Sequence, residues 1–203
     1  MTDNKAFWSK WAKRYDRAMS GDGKMYAQIA ERIKKKLNRS MTVLELACGT
    51  GLLSVRIAGS VKLIEATDFS EEMIKQAESK PHSSRLRFSV QDATALPYAP
   101  ETFDAAVISN ALHIMPNPKK ALSEIRRVLK KDGILIAPTF TAAGSILGRL
   151  KIKIMELSGF RVFHKWTPKE YIKFLENNGF TVTYSEIYSG GLTLTYTESK
   201  IKE

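Results

Sequence analysis

The sequence predicts an α/β protein built on one doubly wound sheet, seven strands wide and mainly parallel. Three observations support this prediction. Short apolar segments alternate with helix-forming segments between residues 40 and 140, an apolar run enters the glycine-containing stretch "VLELACGTGLL", and the tail holds two strand-like segments joined by "SGG". Such alternation is typical of a parallel sheet with helices on both faces, and the short glycine connection makes one strand of the C-terminal hairpin antiparallel.

The first 39 residues predict two helices that precede the sheet. Both segments carry apolar residues at helical spacing, which indicates that each helix packs one face against the rest of the protein. The two stripes are Phe7, Trp8, Trp11, Tyr15 and Met19 in the first helix, and Met25, Ile29, Ile33 and Leu37 in the second.

Residues 40–140 predict the core of the sheet, in which five strands alternate with three helices. Ser70 precedes a helix with acidic residues in its first turn, and Pro118 lies in the first turn of another helix. Both features mark helix N-termini. The predicted strands are "MTVLEL", "VKLIEATD", "RLRFSV", "TFDAAVISN" and "DGILIAPTF", and the helices are "GLLSVRIAGS", "SEEMIKQAESK" and "NPKKALSEIRRVLK".

Two further segments complete a single domain of residues 1–203. Residues 168–203 predict a capped helix, "TPKEYIKFLENNGF", and the hairpin. Residues 141–167 fit no strand–helix–strand unit, so we expect them to form a cap over a site, with glycines as hinges. The cap's apolar helical face is Ile146, Leu147, Leu150, Ile154 and Leu157, its basic residues are Arg149, Lys151 and Lys153, and its glycines are Gly144, Gly148 and Gly159.

Composition excludes some classes of protein. No apolar stretch approaches the roughly 20 residues of a membrane span, the charged N-terminus lacks a secretory signal, and a single cysteine cannot form an internal disulfide. These features favour a cytoplasmic protein. The net charge of +11 is compatible with nucleic acid, an anionic membrane or an acidic substrate, but the lysines are dispersed, which favours a solvated basic surface.

The glycine turn after the first strand predicts a ligand site. Gly49 and Gly51 allow a tight turn and a close approach of the backbone to a ligand, such as a dinucleotide or another adenosine-bearing cofactor. A dinucleotide fingerprint requires a third glycine where this chain has Ser54, and no lysine follows as in a phosphate-binding loop. Asp68 ends the next strand, where a carboxylate can accept the hydroxyls of a ribose. Asp92 comes at the end of the strand after that.

These motifs together resemble class I S-adenosylmethionine-dependent methyltransferases, in the small-molecule branch that includes quinone-biosynthesis enzymes. The resemblance is carried by "VLELACGTG", "ATDFSEEMI", "QDATALPY", "FDAAVISNALHIMPNP" and "LKKDGILIAPTF", and it covers residues 40–140. It implies a Rossmann-like fold, the cofactor S-adenosylmethionine with S-adenosylhomocysteine as product, and no metal.

The resemblance also implies a role for each matching residue. The implied cofactor contacts are Glu45, Ala47, Gly49 and Gly51 at the methionine part, Asp68 at the ribose, Phe69, Asp92 and Ala93 at the adenine, Ser109 beside the methionine part, and Tyr15 folded over the cofactor. Asn110, beside the reacting methyl, is a candidate catalytic residue.

His113 has two interpretations. It follows the fourth strand, beyond Asn110, where an acceptor would approach the methyl group, and a histidine suits a general base at neutral pH. Alternatively, it bonds to the following loop and orients the site, since methyl transfer often needs no strong base. Cys48 lies in the glycine turn without a visible base, so we interpret it as a packing residue.

The predicted function is methyl transfer to a small-molecule acceptor by in-line displacement. The apolar face of the cap favours an apolar or aromatic acceptor, and its basic residues also allow peripheral contact with a membrane. Two alternatives stay open: an RNA or other nucleic-acid methyltransferase, for which "SNAL" is the wrong motif, and a non-catalytic cofactor-binding protein. The acceptor's identity and the oligomeric state do not follow from the sequence.

Overall fold

A computed structural model provides the structure of the chain and describes residues 4–19, 23–141, 153, 156–157, 159–189 and 193–202. The described residues form one eight-stranded sheet flanked by six α-helices, in the order α1(Lys5–Met19), α2(Gly23–Lys34), β1(Thr42–Leu46), α3(Ser54–Ile57), β2(Leu63–Asp68), α4(Glu71–Glu78), β3(Leu86–Val90), β4(Phe103–Ile108), α5(Pro118–Val128), β5(Leu129–Ile136), β6(Thr139–Thr141), α6(Pro168–Glu176), β7(Phe180–Tyr188) and β8(Thr193–Ile201).

The sheet confirms the predicted α/β fold. Its strands follow the order β3-β2-β1-β4-β5-β8-β6, and β7 pairs with the other side of β8. All pairings from β3 to β5 are parallel, whereas β8 runs antiparallel to β5, β6 and β7. The eighth strand arises because the predicted fifth strand is divided at Ala137 and Pro138, and proline cannot donate to a ladder.

Apolar residues on alternate positions of the strands pack against helices on both faces. One cluster joins Val43, Ala105 and Val107 of the sheet to Ile29 and Ile33 of α2. The residues between them in the strands face a second cluster built with α5 and α6. Because both faces of β1 and β4 are covered, the ligand edge lies at the carboxyl ends of these strands, as in other open parallel sheets.

The helix predicted after the glycine turn is shorter than expected. We predicted a helix over "GLLSVRIAGS", but α3 has four residues and a 3₁₀ turn follows at Ala58–Ser60. β-branched Val55 and Ile57 and the glycine at position 59 are weak helix formers, which accounts for the early end. The other caps are as predicted: the Ser70 side chain accepts from the Met73 N–H, and α5 begins at Pro118 after the Asn117 cap.

The predicted cap lies largely outside the described residues. This applies to Gly144, Gly148 and most of the proposed apolar and basic faces. Of the described part, Leu157 is 89% exposed, whereas Phe160 is buried. The ring of Phe160 packs against Phe7 and Trp8 of α1 at centroid distances of 5.2 and 5.4 Å, so the end of the cap segment and the N-terminal helix contact each other.

No helix among the described residues is long and apolar enough to cross a bilayer. Within the same residues, no group of three or more histidine, cysteine, aspartate or glutamate side chains is arranged to hold a metal ion.

Candidate functional site

The glycine turn after β1 has a left-handed backbone at three alternate positions. Ala47, Gly49 and Gly51 have φ values of 51°, 58° and 75°. A Cβ atom at Gly51 would lie 2.8 Å from the ring of Phe88, so a side chain there would displace β3 or its ring. At Gly49 the nearest atom to such a Cβ is Cε1 of Tyr15 at 3.8 Å. The turn is therefore packed tightly on one side and covered by an aromatic ring on the other.

Asp68, at the end of β2, holds this turn in place. One carboxylate oxygen accepts a hydrogen bond from the Gly49 N–H at 2.9 Å, and the other accepts from the Ser70 N–H at 2.8 Å. Burial raises the pKa of Asp68, and the backbone N–H groups act in the opposite direction. Each carboxylate oxygen has a second lone pair, so Asp68 can hold the turn and still accept ribose hydroxyls.

Helix α1 is anchored over the turn by polar contacts. The Thr50 hydroxyl donates to Asp16, whose other carboxylate oxygen pairs with Lys80 at 2.5 Å. Lys80 also donates to the carbonyl of Thr50 at 2.7 Å. Tyr15, the neighbour of Asp16, lies over Gly49, and its predicted contact with the cofactor stays a prediction. Burial raises the pKa of Tyr15 well above its ordinary value, so its phenol is neutral at physiological pH.

Asn110, just past β4, has an unusual backbone and a half-satisfied side chain. Its φ is 54° and its N–H donates to the carbonyl of Pro138 at 2.8 Å. Its Nδ2 donates to the Tyr26 hydroxyl at 3.2 Å. Among the described residues, its buried Oδ1 has no partner, and the same holds for the hydroxyl of Ser109. Left-handed backbone in a non-glycine residue is costly and is found preferentially at functional sites.

Glu45, the penultimate residue of β1, has a buried carboxyl group. It is 2% exposed, and its Oε2 has no hydrogen-bond partner in the described part of the chain. Burial raises the pKa of Glu45 to about 8, the neighbouring Ser54 hydroxyl offsets part of this, and the charge of Asp68 adds to it. Glu45 is therefore largely protonated at neutral pH unless a cation binds beside it.

The predicted adenine contacts lie at the ends of β2 and β3. Phe69 is 41% exposed and has the ammonium group of Lys5 over its ring at 4.4 Å. Asp92 is exposed, and its Oδ1 already accepts from the N–H and hydroxyl of Thr94, both at 2.8 Å. Ala93 is half-buried against the second core cluster. The carbonyl of Asp68 accepts from the Gln91 N–H at 3.0 Å, so these strand ends are adjacent.

His113 is buried behind the site. Its Nδ1 is 2.9 Å from the Thr139 hydroxyl, and its carbonyl accepts from the N–H groups of Phe163 and His164. Burial, followed by the charge of His164, lowers the pKa of His113 to about 4. The contacts tie the loop after β4 to the end of the cap segment. A catalytic role for His113 stays a prediction.

Residues 44–137 match the family model described as a methyltransferase domain. The chain carries a class I, S-adenosylmethionine-dependent methyltransferase domain. The matched residues run from β1 through β5 and include the glycine turn, Asp68 and Asn110. The resemblance seen in the sequence is thereby confirmed, and S-adenosylmethionine is the cofactor of this class.

The methyltransferase domain has relatives among known proteins and structures. A demethylmenaquinone methyltransferase from Clavibacter sepedonicus is 32% identical over 143 residues, which cover 70% of this chain and 55% of that protein. The methyltransferase in a complex with the Haloferax volcanii Trm112 activator has the same fold, with a TM-score of 0.80, 17% identity and full coverage of both chains. A complex of DhpI with SAH gives a TM-score of 0.74 and 20% identity over 98% of this chain and 95% of that one. The chain spans about half the length of the curated relatives that it matches.

The described residues of the methyltransferase domain fit the cofactor. Among the described residues from β1 to the loop after β4, four buried oxygen atoms lack partners, on Glu45, Ser54, Ser109 and Asn110. Unpaired buried oxygens are costly, and a ligand that carries positive charge and N–H groups would satisfy them. Glu45 lies opposite Val107 in the register of β1 and β4, and Ser109 directly follows the end of β4.

Four residues of this site were missed in the sequence: Asp16, Tyr26, Thr50 and Lys80. Only Tyr26 had a visible signal. With Ile29, Ala30 and Ile33 it forms the buried face of α2, at the spacing i, i+3, i+4 and i+7. The helical spacing in the sequence predicts Met25 on this face, one position away, whereas in the structure Met25 is only partly buried.

Proposed function

We propose that the protein transfers a methyl group from S-adenosylmethionine to an apolar aromatic small molecule by in-line displacement. The observation that carries this proposal is the set of partnerless buried oxygens on Glu45, Ser109 and Asn110 beside the glycine turn. When bound, S-adenosylmethionine supplies a methyl group on a sulfonium, an excellent leaving group. The protein's part is then to bind, align and exclude water, and alignment can supply ~7–11 kcal/mol of the barrier.

Each part of the site has a task in this proposal. Asp68 accepts the ribose hydroxyls, Phe69 and the Ala93 N–H contact the adenine, and the oxygens of Glu45 and Asn110 receive the positively charged end of the cofactor. Tyr15 covers the turn and limits access of water. Apart from Tyr15, which lies on α1, these residues lie at or next to strand ends that the sheet order brings to one edge.

We propose His113 as an orienting residue and not as the base. A base with a pKa of about 4 gains little by taking a proton at neutral pH, because catalytic bases work best when their pKa is close to the operating pH. Its bonds to Thr139, Phe163 and His164 instead fix the loop after β4.

The acceptor we propose is the aromatic head group of a naphthoquinol. Several curated relatives, including those from Desulfitobacterium hafniense and Renibacterium salmoninarum, are demethylmenaquinone methyltransferases. Methylation of such a ring forms a carbon–carbon bond, breaks the carbon–sulfur bond and releases the ring proton to solvent. The half-buried ring of Trp8, 5.7 Å from that of Tyr15 and backed by the buried rings of Phe7 and Phe160, supplies an apolar surface for such a ring.

The test is methyl transfer from labelled S-adenosylmethionine to 1,4-dihydroxynaphthalene under reducing conditions. Label in the methylated naphthalene, identified by mass spectrometry, supports the proposal. A Gly49→Val variant, which adds a branched side chain beneath Tyr15, should lose this transfer. Label in RNA added to a parallel reaction would favour the nucleic-acid alternative, and cofactor binding without transfer to either acceptor would favour a non-catalytic protein.

A further inference from the structure

The orientation of the Asn110 side chain is set by one hydrogen bond. Its Nδ2 donates to the Tyr26 hydroxyl at 3.2 Å, and the left-handed backbone at Asn110 is anchored by its bond to the carbonyl of Pro138. Because an amide group is planar, fixing Nδ2 also fixes the direction of Oδ1. That oxygen is buried and has no partner among the described residues. Tyr26 therefore determines where an unsatisfied acceptor points.

Tyr26 is held rigidly enough to do this. It is 6% exposed and lies on the buried face of α2, which packs against the sheet through Ile29 and Ile33. Its hydroxyl is also close enough to that of Tyr15 to raise the pKa of Tyr15, whose ring lies over Gly49. Tyr26 thus lies between the end of β4 and the ring that covers the glycine turn.

The oxygen that Tyr26 aims is one of four with a shared chemistry. The buried oxygens of this region without partners among the described residues are Asn110 Oδ1, Glu45 Oε2, Ser54 Oγ and Ser109 Oγ. Oxygen acceptors grouped in this way suit an ammonium group, which has three donors and no acceptor. In the proposed function, this ammonium group is that of the cofactor's amino-acid end.

We propose that Tyr26 is a positioning residue for the amino-acid end of the cofactor, which it serves by aiming the Asn110 amide oxygen at the ammonium group. This inference rests on the proposed function. It adds to the site a residue outside the strand-end motifs, contributed by the second helix of the chain.

Binding measurements test the inference without any acceptor. Calorimetry compares S-adenosylhomocysteine with 5′-methylthioadenosine, which has the same adenosine and sulfur but no amino-acid end. Tyr26→Phe keeps the ring and removes the hydroxyl. Without this hydroxyl the Asn110 amide is no longer held, and its hydrogen bond with the ligand's ammonium group is lost. We therefore expect Tyr26→Phe to weaken S-adenosylhomocysteine binding about tenfold and to leave methylthioadenosine binding unchanged. A merely structural role would weaken both ligands equally, and that result would overturn the inference.

Two further variants complete the test. Tyr196→Phe is the control, because it also removes a buried tyrosine hydroxyl. That hydroxyl donates to Glu198 at 3.1 Å and has no contact with Asn110, so this variant should change neither affinity. Asn110→Gly, which the left-handed backbone tolerates, should show the same selective loss as Tyr26→Phe, with no further loss when the two are combined. Wild-type affinity for S-adenosylhomocysteine in either single variant contradicts the inference. Absence of binding by the wild-type protein refutes the proposed function itself, so the two failures are distinct.

Discussion

Replacement of Glu45 by glutamine should stabilise the protein at alkaline pH. The carboxyl group is buried without a partner for Oε2, and its pKa rises from 4.5 to about 8. A raised carboxyl pKa means that the folded state holds the proton more tightly than the unfolded state does. The free energy of unfolding therefore falls as pH increases from the unfolded pKa to the folded one, and levels off above it.

The size of this effect follows from the pKa values. One pKa unit corresponds to ~1.4 kcal/mol, so ionisation of Glu45 costs the fold roughly 4–5 kcal/mol by pH 8 and below about 1 kcal/mol at pH 5. Glutamine has nearly the same shape and no charge. The difference in unfolding free energy between Glu45→Gln and wild type should grow by several kcal/mol between these pH values.

Urea unfolding at pH 5, 6, 7 and 8 measures this difference. The lowered pKa of His113 makes the free energy of unfolding fall as pH decreases below 6.5. This contribution is present in both proteins and cancels in the difference. Glu78→Gln, at an exposed position at the end of α4, is the control and should stay within about 0.5 kcal/mol of wild type. A Glu45→Gln difference that is equal at pH 5 and pH 8 would refute the reasoning.

Three other predictions concern the site. Asp68→Asn should weaken S-adenosylhomocysteine binding by roughly 2–4 kcal/mol in calorimetry, since charge-assisted hydrogen bonds are lost; unchanged affinity in the folded variant would exclude the ribose role. His113→Ala should lower turnover by no more than about tenfold, because its pKa of about 4 keeps the ring neutral throughout pH 6–8. If the turnover of the wild-type protein changes with pH near neutrality and this substitution removes that change, His113 is a general base after all. Asp16→Asn should increase hydrogen exchange in residues 5–19 by weakening the ion pair with Lys80, and exchange equal to wild type would show that the pair does not anchor α1.

The strand-end residues were predictable from the sequence because they are local. A strand, a glycine turn and an acid at the end of the next strand occur within 26 residues of chain, from Val43 to Asp68. Parallel pairing then brings Asp68 next to Gly49 without further information.

The covering layer was not predictable in the same way. Asp16 meets Thr50 and Lys80 only after α1 has packed across the sheet edge, and nothing in the local pattern of α1 specifies that partner. Tyr26 lies on the buried face of α2, where a tyrosine is usually a packing residue, and only its 3.2 Å contact with Asn110 shows another task. The predicted fifth strand runs through Pro138, whereas the structure divides the strand there, and the proline was the one visible signal of that division.

The central claim is that the site built by the glycine turn, Asp68 and Asn110 binds S-adenosylmethionine. The most direct test is calorimetric titration of the wild-type protein with S-adenosylmethionine, S-adenosylhomocysteine and NAD under identical conditions. We predict saturable binding of the first two at one site per chain and no binding of NAD, because Ser54 replaces the glycine of the dinucleotide fingerprint. Binding of NAD in preference to S-adenosylmethionine, or binding of neither, would contradict the assignment.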